Sequence, residues 1–522
     1  MLTLLIFLPL AAAVGVALIP RDREETIRWS GLSASLATLL MAAWIFAKFD
    51  SSSAAFQFLQ HAAWVPALGI GYRVGIDGIA LPLIALTTVI FPLALLGSWD
   101  SITERVKVFT IAMLGLETAI LGTFLSLDLI LFYVFWEAVL VPMAFIIGVW
   151  GSANRRYAAV KFFLYTMSAS VLMLVAIIAL HVIGISRLGE RTFDLQRLAT
   201  LALSPSTQAW LFAAFAIAFA VKVPVWPLHT WLPDAHTEAP TPGSVILAAL
   251  LLKMGTFGFV RFGPTLFPHA LVASAPLLAG LAIVGILYGA AVSWAQTDLK
   301  RLVAFSSVSH LGFVMLGIAS LTVQGMQGGL IQMVNHGIST GALFLIVGVL
   351  YDRVHSRSIA DFGGVAAQMP RFAVIFTIVM LSSAALPGTN GFVGEFLILL
   401  GAFRVSVWWA TLGVGGVILS AVYLLWAYQQ VMHGPPTAKA PARLGELTPR
   451  ELTVFVPLIA MIFAIGLYPK PLLSRSEAAV SAALARLTRP AAVTGPAGGQ
   501  GHARPAATTE RPEEPRAQQM RR

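Results

Sequence analysis

The 522 residues are 58% hydrophobic and 11% charged, a balance that excludes a soluble globular domain and describes a chain crossing a membrane many times. The formal net charge of +10 is dispersed in short stretches between apolar runs and forms no patch, which excludes nucleic acid as a partner and makes the lipid bilayer the surrounding medium. Without cysteine there are no disulfides, thiolate metal sites, iron–sulfur ligation or cysteine nucleophiles, so no cofactor is expected in this chain.

In chain order, about fourteen apolar segments of spanning length fall within residues 2–20, 28–48, 79–98, 108–126, 128–149, 161–184, 209–228, 243–262, 271–295, 302–321, 327–350, 372–400, 405–432 and 452–469. The expected fold class is therefore an all-α polytopic membrane protein. The first segment has no basic leading region and no small-residue cleavage site, and is expected to remain as a span. Residues 51–78 lack spanning character and are expected to form a mixed loop with a short helix over residues 54–64. Residues 185–208 make a longer loop suited to a polar cap. Residues 471–522 carry eight Arg against four Glu, with Pro, Gly and Ala in place of large apolar side chains, and are expected to be a disordered tail without chemistry.

Lys and Arg concentrate in alternate loops, among them Arg21, Arg23, Arg105, Lys107, Arg155, Arg156, Lys300, Arg301, Arg353 and Arg357. The opposite loops hold fewer, including Arg73, Arg187, Arg261 and Arg404. The positive-inside rule then puts both termini on the outer face.

Ionisable side chains inside the spans mark ion or proton paths by default. Glu117 and Glu137 lie on successive segments, and Pro142 withholds the amide that would bond the carbonyl of Ala138. Either glutamate serves as a polar staple between helices or as a titrating group. Lys222 ends an apolar run just before Pro224 and Pro227, which cannot bond the carbonyls of Ala220 and Val223, so an ammonium or ordered water is expected to satisfy those oxygens. Its alternative role is a snorkelling lysine near a helix end.

Lys253 has no such escape. It stands at the centre of residues 243–262, roughly 15 Å from either water face at ~1.5 Å per residue, so a carboxylate or a polar water network must lie near it, whether it carries protons or is permanently paired. His310 and His336 are mid-span on adjacent segments, either as hydrogen-bonded core residues or as proton relays. Ligation of haem would require histidines repeated in pairs, which His181 and His269 do not supply.

Glu395 follows Pro387 and the small residues Gly388, Gly391 and Gly394, a second interrupted helix that ends in an acid as the first ends in a base. The two interruptions suggest two five-helix repeats, 108–262 and 271–432, the second inverted because five is odd. His229, Asp234, His236 and Glu238 are metal-ligating types, but two prolines break any helix that would present them together, so a tight polar loop and no metal site are expected.

The strings FYVFWEAVLVPM, AFAVKVPVWPLHTWLPDAHTEAPTPGSVILAALLLKMGTFGFVRF, AQTDLKRLVAFSSVSHLGFVMLG and LPGTNGFVGEF resemble the antiporter-like membrane subunits of respiratory complex I over residues 70–470. The resemblance implies an N-terminal unit of three spans (1–107), the two repeats as proton channels, a last span at 451–470 and the tail outside. It implies that Glu137 and Lys222 form a coupled ion pair, that Lys253 is the central proton carrier, that His310 and His336 belong to a hydrated axis, and that Glu395 ends it, with Glu117 an accessory member. A glutamate at position 395 and no long lateral helix after residue 470 separate the chain from sister subunits. By the same resemblance NADH, FMN, iron–sulfur clusters and quinone are bound by other subunits, the partners are the other membrane-arm subunits including neighbouring antiporter-like ones, and the location is a bacterial inner membrane with both termini periplasmic. A subunit of a cation/proton antiporter, or of a membrane-bound hydrogenase or ferredoxin-oxidising complex, is the alternative.

Overall fold

The computed structural model describes residues 1–435 and 444–488; the expected tail beyond residue 488 lies outside the described residues. Helices α1 (Leu2–Leu18) and α2 (Glu24–Lys48) precede strands β1 (Gln57–Val65) and β2 (Ile70–Ile76), followed by α3 (Leu81–Gly97) and α4 (Val106–Leu125). Next come α5 (Leu129–Ala138), α6 (Leu140–Trp150), α7 (Arg155–Leu188), α8 (Leu195–Leu198), α9 (Pro205–Lys222), α10 (Trp231–Glu238) and α11 (Thr241–Ile246). A π-helical turn, Leu247–Leu251, joins α11 to α12 (Leu252–Leu266). The chain continues through α13 (Pro268–Trp294), α14 (Leu299–Ala319), α15 (Val323–Val354), α16 (Val365–Gln368), α17 (Pro370–Ser383), α18 (Asn390–Val405), α19 (Val407–His433), α20 (Pro449–Leu467) and α21 (Lys470–Ala485).

Ten helical stretches among the described residues are long and apolar enough to cross a bilayer, counting α5 with α6 and α11 with α12 as one each, and α1, α3 and α17 are shorter apolar helices. The spans differ in burial. The apolar windows of residues 241–266, α14 and α15 are wholly enclosed, whereas those of α2 and α20 are mostly exposed, so three central segments are ringed by others facing lipid. Lipid is as apolar as leucine and does not drive helices together; close approach of small residues does. A Cβ on Gly328 of α15 would come 2.6 Å from the Ile398 amide nitrogen of α18, and one on Gly289 of α13 would come 2.7 Å from that of Ser309 in α14.

Both helix breaks follow the same backbone scheme. After α9 the Val225 amide reaches back five residues to the Ala220 carbonyl at 2.8 Å, and the Leu228 amide bonds Val225; after α17 the Leu386 amide bonds Leu381 at 3.0 Å, and the Thr389 amide bonds Leu386. The Ala220 oxygen expected to need an ammonium is therefore satisfied by backbone. The correspondence also corrects the base-and-acid comparison: Lys222 closes α9 where Ser383 closes α17, while Glu395 lies inside α18, beyond the break. A second pair of matching features is the isolated bridge Asp128–Asp194 and its counterpart Asp298–Ser358, in which each aspartate also caps the helix that follows.

Three local expectations are overturned. Residues 57–65 form β1, not a helix, because they pair antiparallel with β2 and the chain reverses through Gly69 at φ 74°, the left-handed region open to glycine. The polar segment before residue 241 is helical as α10, since a carbonyl-rich loop at membrane depth would leave backbone groups unpaired. Residues 471–485, assigned to the tail, belong to the 16-residue α21 (Lys470–Ala485), which buries Ser476, Ala479, Val480 and Ala483 and packs on α15, α12 and α3. The segment after α7 does form a cap with the hairpin: the Leu129 amide bonds the Phe193 carbonyl, and Arg191 reaches the Ala67 carbonyl at 2.8 Å.

Candidate functional site

Lys253 occupies the second position of α12, immediately after the π turn. Such a wide turn displaces the backbone ladder by one residue and is frequent at functional positions. Here the ammonium folds back to donate to the Ala248 carbonyl at 2.5 Å and meets His336 Nδ1 at 2.6 Å. The protein partners of this buried amine are thus an imidazole and a carbonyl, and no carboxylate bonds to it.

The His336 ring on α15 faces that of His310 on α14, with centroids 6.0 Å apart. His310 Nδ1 stands 3.1 Å from Glu395 Oε1 on α18, and Gln332 donates to the same oxygen at 3.2 Å. The Nε2 atoms of both histidines are buried without a protein partner. A cavity of about 10 Å³ lies between these rings, Asn335, Ser339 and Ser382, close to the volume one water needs. Around it, Asn335 donates to Gln332 and to the Asn390 carbonyl, and Ser382 donates to Asn390 Oδ1 at 2.6 Å. Lys253, His336, His310 and Glu395 therefore form one polar run inside the most enclosed helices.

The other predicted residues stand apart from that run. Lys222 is 1% exposed, its ammonium has no hydrogen bond, and it lies 5.0 Å from the Trp136 ring centre, a cation–π contact. Glu137 interacts with Lys222 through charge, with Tyr133 and Ser170 also acting on its carboxylate, but the acid and the amine make no contact within 4.0 Å. Glu137 is also only partly buried, although its Oε1 is enclosed without a hydrogen-bond partner. Glu117 is separate from all of these: its carboxylate accepts from Ser35 of α2 at 2.6 Å, and no charged side chain acts on it.

The metal-ligating types around α10 do not converge, and no group of three or more His, Asp or Glu gathers among the described residues. Asp234 pairs with Lys161 at 2.7 Å, the Glu238 carboxylate accepts from the Asn154 amide at 2.9 Å, and His236 stacks on Phe344.

Two further residues join the site that sequence reasoning passed over. His236 is fully buried, with both ring nitrogens free of hydrogen bonds, and interacts through charge with both Lys253 and Lys300. Lys300 is 6% exposed, donates to the Ala239 carbonyl, and lines a cavity of about 150 Å³ together with Glu238, Tyr351 and Arg357. Lys300 counted as a loop charge because it adjoins Arg301; what distinguishes it is its position as the second residue of a helix in which every residue but Arg301 is buried. Tyr423, buried on α19, adds a hydroxyl whose environment includes Ser306 and Glu395.

A membrane bundle whose enclosed centre holds a line of lysine, histidine and glutamate defines a class, that of ion-conducting polytopic membrane subunits. Residues 126–420 match the family described as NADH:quinone oxidoreductase/Mrp antiporter, transmembrane. NADH-quinone oxidoreductase subunit M of Rhodobacter capsulatus is 45% identical over 480 residues, covering 90% of this chain and 93% of that protein. NADH-ubiquinone oxidoreductase chain 4 of Arabidopsis thaliana is 43% identical over 91% of this chain and 95% of its own. A chain of respiratory complex I from Thermus thermophilus with bound NADH superposes with a TM-score of 0.84 at 31% identity, covering 93% of this chain and all of that one. The chain belongs to this family, within the group of subunit M and chain 4 of the NADH-quinone oxidoreductases.

Proposed function

We propose that this chain, a proton-translocating membrane subunit of an NADH-quinone oxidoreductase, moves protons along the buried line from Lys300 through His236, Lys253, His336 and His310 to Glu395. The observation that carries this reading is the run of contacts Lys253–His336 and His310–Glu395 on either side of a water-sized cavity. Both lie within the roughly 2.6–3.2 Å reach over which side chains exchange a proton.

Glu137 and Lys222 act on this line through charge. When Glu137 is ionised it attracts the Lys222 ammonium, and when it takes a proton that attraction is lost. In a low-dielectric interior such charge terms are large enough to shift proton occupancy. The partly buried face of Glu137 supports a neighbouring protein surface there, since a carboxylate facing lipid is costly. That surface belongs to another membrane-arm subunit of antiporter-like type. NADH, FMN, the iron–sulfur clusters and quinone are handled by other subunits, and their reaction supplies the free energy.

The matching helix breaks and the bridges at Asp128 and Asp298 support fourteen spans arranged as two inverted five-helix repeats, 108–262 and 271–432. With α9 counted as a span beside the four long apolar stretches between them, the two bridges stand on opposite faces of a bacterial inner membrane, both termini being periplasmic by the charge rule.

In the assembled oxidoreductase in sealed vesicles, His336→Phe removes the ring nitrogen facing Lys253 while filling its space. NADH-driven proton uptake should fall while quinone reduction and assembly persist; undiminished uptake would refute the route. Glu137→Gln keeps shape and removes charge, and should lower protons moved per NADH to a smaller extent, because it acts through Lys222. Sodium- or potassium-dependent proton exchange without NADH would instead identify a cation/proton antiporter component.

A further inference from the structure

A groove of about 850 Å³ runs down the lipid-facing side of the bundle, with α3 as its floor, packed against α2 on one side and α20 on the other. It lies away from the proton line. On α2 it extends from Glu25 to Leu39, about 21 Å at 1.5 Å per residue, and on α20 from Arg450 to Met461, about 16 Å. One leaflet of hydrocarbon is about 15 Å deep. The groove is thus one acyl chain long.

Its chemistry changes along that length. The deep part is leucine, proline and methionine. Pro92 of α3 and Pro457 of α20 both line it, and each removes a helix hydrogen bond where two neighbouring helices face it, which favours bends that hold the walls apart. The mouth carries Trp29 and Trp99, edge to face at 5.1 Å, the aromatic pair expected at the membrane surface. Beside them are Glu25 and Arg450, and Arg28, which pairs with Glu24, lies 5.9 Å from the Trp99 ring centre. Glu25 is exposed, and no hydrogen bond or ion pair involves it among the described residues. Arg450 lines the groove and is paired with Asp100 through both terminal nitrogens, each of which keeps a second N–H beside the Nε–H.

We propose that this groove binds a zwitterionic phospholipid of the ethanolamine class, its acyl chain along α3, its phosphate at Arg450 and its ammonium at Glu25. An anionic headgroup without an amine would meet the Glu25 carboxylate as a like charge, and a lipid without phosphate would leave unused the guanidinium N–H groups of Arg450 that Asp100 does not take. The mouth thus selects a headgroup bearing both charges.

The test places a photoreactive side chain at Leu36, on the groove wall, in the assembled oxidoreductase reconstituted into vesicles of equal phosphatidylethanolamine and phosphatidylglycerol. Irradiation should give an adduct of phospholipid mass, enriched several-fold in phosphatidylethanolamine over the equal bulk ratio. With Glu25→Lys in the same chain the enrichment should vanish or reverse. Adducts that follow the bulk ratio whatever occupies position 25 would overturn the proposal, and so would an adduct with another polypeptide, which would make the groove a subunit contact.

Discussion

Replacing Lys253 with methionine is expected to lower proton transfer through this chain by at least about 10²-fold, the lower range of what a positioned proton-transfer group supplies. Methionine keeps the length and most of the volume of the lysine stem, so α12 retains its packing, but it has no proton to give. His336 Nδ1 and the Ala248 carbonyl lose their partner, at about 1–3 kcal/mol for each buried group left unsatisfied. Removal of a fully buried ammonium offsets part of that cost. Assembly should therefore persist. The measurement is protons moved per NADH oxidised by the intact oxidoreductase in sealed vesicles; an unchanged ratio in a normally assembled complex would remove Lys253 from the path.

Asp77→Ala should produce the largest loss of stability. Asp77 receives two hydrogen bonds from Arg261, at 2.5 and 2.6 Å, and both side chains are about 5% exposed. The guanidinium lies between Phe56 and Phe257, each 5.0 Å away. Breaking a buried pair from one side costs about 3–5 kcal/mol, because the remaining charge is uncompensated. Asp77 also accepts from the amides of Ile79 and Ala80 at the start of α3, and losing that cap adds about 1 kcal/mol. The amount of subunit in membranes and its thermal unfolding should both fall, and Arg261→Met in the same chain should restore much of the loss. A single variant as stable as the parent would show that the pair contributes nothing to holding the hairpin region on α12.

Arg261 also illustrates what local reading misses. In the sequence it counts as a loop charge bearing on membrane orientation; in the fold it belongs to α12 and is neutralised by a residue 184 positions away. Lys300 was absorbed into the same count, and the hairpin partners β1 and β2 were invisible because pairing, not intrinsic preference, makes residues 57–65 a strand. His236 drew notice only as a metal-ligating type. What places it in the site is burial beside Phe344 between two lysines, a property of four helices packed together.

The sequence by itself determined the class of protein, the positions of the two helix breaks and four of the six ionisable residues on the buried line, Lys253, His310, His336 and Glu395. These are local properties: apolar length decides what spans, proline decides where a ladder fails, and a charge inside an apolar run is conspicuous because lipid offers it nothing. Only the tertiary structure decided which of those residues meet. Lys253 touches His336 rather than Lys222, His310 touches Glu395, and Glu117 turns away to Ser35, because side-chain direction is set by how closely helices approach. That approach depends on glycines such as Gly328 against α18, whose effect appears only when a distant segment is packed against them.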